Sequence, residues 1–231
     1  MAVKPPTPEL RSNRVVLRGS FNPRILQPAW LAAQKLIREA ESENAEITII
    51  HEEATVFAID WAIIEAERER LRLATTSKSE TPEQLRDLAV GILETLDHTP
   101  VHVVAIQSIA HYPMASQESR DALGWKLVPP EPFEGEIVRP GMAALHVNGA
   151  RPGEAMEGSK APASGLVTIS VEPSHPLAPH GVFIQVDDRY SVADAEAANV
   201  GTGPAIACIQ ENWETSLKRA ERIAERIFAA A

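Results

Sequence analysis

The chain has one cysteine, Cys208, among 231 residues. That excludes an internal disulfide and any Cys-based zinc cluster, and a reducing compartment is expected. No stretch approaches the roughly 18 uninterrupted apolar residues of a membrane-spanning helix, so no membrane association is expected. The first eight residues, MAVKPPTP, hold three prolines and no apolar run. A secretory signal is therefore not expected, and the predicted location is the cytoplasm. Aromatic residues make up only 5% of the chain, and His111, Tyr112, Trp125 and Trp213 are scattered singly, which suits core or interface positions better than base-stacking platforms. The chain also lacks a Gly-x-Ser-x-Gly elbow, an internal repeat at solenoid period and a low-complexity tail.

What is present is acid, unevenly spread. The net charge is -10, yet residues 1–38 hold seven Lys or Arg against the single acid Glu9. An acidic body repels phosphate backbones and disfavours general nucleic-acid binding. The basic segment, through Arg11, Arg14, Arg18 and Arg24, could still contact nucleic acid or an acidic partner.

Taken in order, residues 1–11 read as a basic, proline-bearing arm. Val15 and Leu17 then alternate with polar positions in a first strand. The spacing of Trp30, Ala33, Leu36 and Ile37 predicts a helix over Gln27–Glu41, with Pro28 in its first turn. From Ile47 to Thr76 the densest charge run follows the most regular apolar alternation. We read Trp61–Ala66 and Leu71–Thr75 as two strands of a hairpin turning at the charged tip Glu67–Arg70, because Leu71, Leu73 and Thr75–Thr76 restore period two after the tip. Thr81, Pro82 and Gln84 open a second helix carrying Leu85, Leu88, Ala89, Ile92 and Leu96, and VHVVAIQSIAHY is a strand apolar on both sides.

That order, strand, helix, strand, strand, helix, strand, predicts an α+β fold with a ferredoxin-like βαββαβ half over residues 12–113. A short helix stopped by Gly124 and a proline-rich linker fill 114–140. Residues 141–231 are read as three strands, Met142–Val147, Leu166–Val171 and Val182–Val186, and a long C-terminal helix from Gly203–Pro204. Ile206, Ile209, Trp213 and Leu217 begin that helix's apolar stripe, which would pack on a sheet or on a partner, making Trp213 and Leu217 interface candidates.

Catalytic signals are sparse. GSFNP at residues 19–23 resembles the phosphate-approaching turn of nucleotidylyltransferases, but no histidine pair follows it. His98 and His102 have metal-site spacing, which Pro100 breaks. His51-Glu52-Glu53 reads as a solvated bend. Asp187 and Asp188 end an apolar strand, where carboxylates can hold Mg²⁺ or move a proton, although neighbours on a strand face opposite sides. The turn Gly201-Thr-Gly203-Pro could present backbone N–H groups to an anion. Cys208 reads as a packed thiol.

The runs VVLRGSFNPRILQPAW, ATVFAIDWAIIEAERERLRLATT, VHVVAIQSIAHY and VFIQVDDRY, with the amphipathic helix after them, resemble a bacterial protein family of unknown function and similar length. The resemblance covers most of the chain. It implies a bacterial context and a charged run lying between two strands, and it carries no active-site residues. The leading expectation is a non-enzymatic cytoplasmic module whose acidic surface and long C-terminal helix engage a protein partner or a second copy of itself, without a cofactor, as in a toxin–antitoxin or defence-type assembly. One alternative is a metal-assisted hydrolase or nucleotide-binding enzyme using Asp187, Asp188, Gly201 and Gly203. The other is nucleic-acid binding through the basic segment.

Overall fold

Strand β1 (Leu10–Gly19) puts Val15 and Leu17 fully out of solvent on one side and Arg14, Val16 and Arg18 on the other. The period-two alternation makes this split unavoidable. In the computed structural model, which describes residues 6–79, 81–154, 165–194 and 200–230, β1 pairs antiparallel with β5 (Arg70–Thr75) on one side and β6 (Val101–Tyr112) on the other. The remaining strands are β2 (Glu46–Ile50), β3 (Ala54–Ala58), β4 (Ala62–Glu67), β7 (Leu145–Gly149), β8 (Val167–Pro173) and β9 (Val182–Ser191). They form one nine-stranded sheet of order β2-β3-β4-β5-β1-β6-β9-β8-β7, antiparallel at every pairing.

The helices are α1 (Pro28–Ala33), α2 (Glu39–Glu43), α3 (Pro82–Thr95), α4 (Gln117–Leu127) and α5 (Gly203–Ala230). The apolar stripe of α3, Leu85, Leu88, Ala89, Ile92 and Leu93, is buried against the side chains of β1 and β5. Full burial of each leucine or isoleucine contributes about 1.5–3 kcal/mol. The 28-residue α5 packs along β6 and β9 and against α3. Its Ile209 and Trp213 belong to the larger core with α3, while Ala224 and Phe228 pack with Tyr112, Val182 and Ile184 farther along.

The ferredoxin-like expectation is overturned. The structure is a mostly-β single sheet backed by a C-terminal helix and a few others, and its N-terminal half holds six strands where the βαββαβ order has four. Two local events cause this. The helix expected over Gln27–Glu41 is broken: α1 ends at Ala33, Lys35 takes a left-handed φ of 60°, and α2 resumes only at Glu39. Six residues at 1.5 Å each make α1 about 9 Å long, too short for a helix that crosses a sheet. Second, the alternation Ile47–Ile59, to which the βαββαβ order gave no strand, forms two. The polar triplet His51-Glu52-Glu53 turns the chain, with the His51 N–H donating to the Ala54 carbonyl at 2.8 Å, and β2 folds back on β3. The charged hairpin forms, with β4 and β5 paired from Ala62↔Thr75 to Glu67↔Arg70.

Helix α4 also runs past Gly124 to Leu127. Gly124 lies inside it, where an added Cβ would stand 3.3 Å from Met142 Cβ, so the missing side chain serves packing and not termination. The three expected C-terminal strands are β7, β8 and β9. Residues 1–5 of the arm and 155–164 of the loop before β8 lie outside the described residues. No described helix is long and apolar enough to cross a membrane.

Candidate functional site

Helices α3 and α5 pack on one face of the central strands. On the opposite face the register builds a basic surface. Val16 lies beside Arg72 of β5 on one side and Ala105 of β6 on the other, and Ala105 lies beside Arg189 of β9. One row across four strands therefore reads Arg72, Val16, Ala105, Arg189. Along β1, Arg14 and Arg18 stand two residues before and after Val16, each about 7 Å away. Two small apolar side chains are thus ringed by four arginines, and a fifth, Arg70, is the direct partner of Arg18. These residues, with Val103, Gln107 and Gln185, line a hollow of about 240 Å³.

Three carboxylates answer part of this charge. Glu65 on β4 pairs with Arg72. Glu67 pairs with Arg70 at 2.6 Å, and Asp187 with Arg189 at 3.0 Å. Among the described residues Arg14 and Arg18 have no carboxylate within ion-pair distance. Partial burial, and after it the Arg72 charge, hold the Arg14 guanidinium below its ordinary value, while Glu65 works in the other direction. The Arg72 Nε is buried and makes no hydrogen bond. The geometry thus leaves donors and positive charge unanswered, a surface suited to an oxyanion.

The structure separates Asp187 and Asp188 onto the two faces of the sheet. Asp187 stands on the basic face, with one carboxylate oxygen buried and unpartnered. Asp188, 1% exposed, points to the helix side. There it accepts hydrogen bonds from Arg151 Nε at 2.8 Å, Tyr190 OH at 2.9 Å and Ser216 Oγ at 2.7 Å, and it also pairs with Arg219 of α5. The Arg151 guanidinium lies 3.8 Å over the Tyr190 ring, a cation–π contact that closes the network. Burial opposes the Arg151 charge, but Asp188 and Tyr190 outweigh it and leave the group above its ordinary value. With four donors on one carboxylate, Asp188 is a structural tie between β9, α5 and the segment after β7.

The other sequence candidates are dispersed. Gly201 takes a left-handed φ of 62° against the Asp97 carbonyl, which a Cβ would approach to 2.6 Å. Thr202 beside it donates its N–H to Asp97 O at 3.1 Å and its hydroxyl to Leu93 O at 2.8 Å. This turn fastens the start of α5 to the end of α3, and Gly203 opens the helix. Arg11 lies on the helix side, 3.4 Å from Glu221, and Arg24 sits in the exposed loop before α1. Only Arg14 and Arg18 of the four basic candidates share the hollow. Trp213 is 2% exposed in the core, and Leu217 is half-buried at its margin. His98 is exposed, and no group of three or more His, Cys, Asp or Glu among the described residues is placed to hold a metal.

Arg70, Arg72, Arg189 and Gln107 were not singled out by the sequence. A signal was present: Arg14, Arg18, Arg70 and Arg72 occupy strand positions of one parity, with Val15, Leu17, Leu71 and Leu73 on the other. Fold and surface together define a helix-backed single-sheet protein with a basic open face. No family model matches the chain, and no curated protein matches it significantly.

Proposed function

We propose that the protein is a non-enzymatic binding module that takes up an acidic segment of a protein partner on the open face of its sheet. The observation that carries this reading is the arginine ring around Val16 and Ala105, which is only partly answered by Glu65, Glu67 and Asp187. Charge complementarity of this kind gives orientation and fast association. None of the residues lining the hollow is aromatic, which removes the stacking contacts that single-stranded nucleic acid uses. A hydrolytic reading through Asp187 and Asp188 gains no support from geometry, since the two carboxylates lie on opposite faces. A cytoplasmic location suits a chain whose one thiol, Cys208, is buried and free.

The test is fluorescence anisotropy with a labelled twelve-residue Glu/Asp-rich peptide and a Lys-rich peptide of equal length. Expected are saturable binding of the acidic peptide alone, weakening as NaCl rises from 50 to 300 mM, and its loss in the Arg14→Gln/Arg18→Gln double variant. Equal binding of both peptides, or full retention in the double variant, overturns the proposal. Sedimentation at increasing concentration decides whether the acidic segment belongs to a second copy.

A further inference from the structure

The basic face is not uniform, and its charge count is specific. Five arginines, Arg14, Arg18, Arg70, Arg72 and Arg189, meet three carboxylates, Glu65, Glu67 and Asp187. Each carboxylate is matched to one arginine. Arg14 and Arg18 remain, one on each side of Val16, so two positive charges are unanswered beside a floor of Val16 and Ala105. A carboxylate of an acidic peptide would neutralise one of them. A doubly charged tetrahedral oxyanion would neutralise both from one group, with three terminal oxygens to accept from guanidinium groups on several sides. Arg72, held by Glu65, borders the floor, and its Nε is buried without a hydrogen-bond partner. Arginine's planar fork is suited to bidentate contacts with phosphate oxygens.

We propose that the hollow over Val16 and Ala105 is a subsite for a phosphate monoester, presented as a phosphorylated side chain on the acidic partner and gripped by Arg14 and Arg18. This rests on the reading of the open face as an acidic-segment docking surface. It adds that docking is conditional on phosphorylation of the partner. The central positions of Arg14 and Arg18 let them reach one group from both ends of the floor, while Arg189 closes it from β9.

The experiment compares the acidic twelve-residue peptide carrying one central phosphothreonine with the same peptide carrying threonine, by titration calorimetry at pH 7.5 and 5.5. At pH 7.5 the phosphopeptide is expected to bind at least about 10-fold tighter. The ratio should shrink at pH 5.5, because a phosphate monoester dianion takes up a proton near pH 6 and loses one of its two charges. Arg18→Gln, at an exposed position, should abolish the preference with an unchanged circular dichroism spectrum. Equal affinity of the two peptides at pH 7.5, or a preference that survives in both Arg18→Gln and Arg14→Gln, overturns the subsite. Equal, salt-sensitive binding leaves the docking face standing and removes only the phosphate; binding of neither peptide removes both. Competition by inorganic phosphate at millimolar concentration supports the subsite. If inorganic phosphate or a 5′-phosphorylated oligonucleotide binds tighter than the phosphopeptide, the peptide source is wrong.

Discussion

Arg18 on β1 and Arg70 on β5 are direct cross-strand partners, and both side chains stand on the open face of the sheet. Like charges placed opposite each other cost stability, on the order of a few tenths of a kcal/mol to 1 kcal/mol. Arg18→Gln is therefore expected to raise the urea midpoint slightly without changing the m-value. Raising NaCl to 0.5 M should stabilise the native protein more than the variant, because the salt screens a repulsion that the variant no longer has. A lower midpoint for Arg18→Gln would show that the arginine has a stabilising partner in solution.

The opposite face carries a tie of a different kind. Removing the Asp188 carboxylate leaves Arg151 and Arg219 facing each other across the site, with Arg151 only 7% exposed. Breaking a buried pair from one side costs about 3–5 kcal/mol, because the partner charge stays in the interior. Asp188→Ala should fall in that range by denaturant unfolding. Tyr190→Phe removes one donor to a carboxylate and keeps the ring under Arg151, and it should cost about 1.5–3 kcal/mol. Equal effects of the two substitutions would mean that Arg151 and Arg219 escape to water when Asp188 is lost.

Much of the secondary structure was legible because its period is local. β1, the β4–β5 hairpin, α3, β6, β9 and α5 all announce themselves in alternating or three-and-four spacing. What failed was connectivity. Ile47–Ile59 keeps its alternation through the turn at His51–Glu53, so period alone could not show that the chain reverses there. The Trp30, Leu36 and Ile37 stripe gave no warning of the left-handed Lys35 that breaks the helix. The candidate site suffered in the same way. Parity along each strand placed the arginines on one side, but cross-strand register brings Arg72, Val16, Ala105 and Arg189 into one row, and register is a property of pairs of strands.

Cys208 offers a check on the packing of α5. Burial pushes its thiol up to about 12, with Arg151 pulling the other way. At pH 8 only about one thiol in ten thousand is then ionised, and the thiolate is the reactive form. Native protein should consume almost no Ellman reagent over minutes at pH 8, and one equivalent at once in 6 M guanidinium. Fast reaction without denaturant would mean that the first turns of α5 leave the sheet.

Trp213 separates packing from hydrogen bonding within the same helix. Its side chain is among the largest that are fully buried, in contact with the core shared by α3 and the central strands, yet its indole N–H has no hydrogen-bond partner. Trp213→Ala removes the whole ring and should cost about 3–5 kcal/mol. Trp213→Phe shortens the ring but also deletes a buried, unsatisfied donor, whose desolvation costs about 1–3 kcal/mol. The two effects oppose, so Trp213→Phe should lose less than half of what Trp213→Ala loses. The measurement is the difference in unfolding free energy from urea titrations of the two variants. Nearly equal losses would show that the indole N–H is hydrogen-bonded in solution, and the contact that satisfies it would then belong to the core between α5 and the sheet.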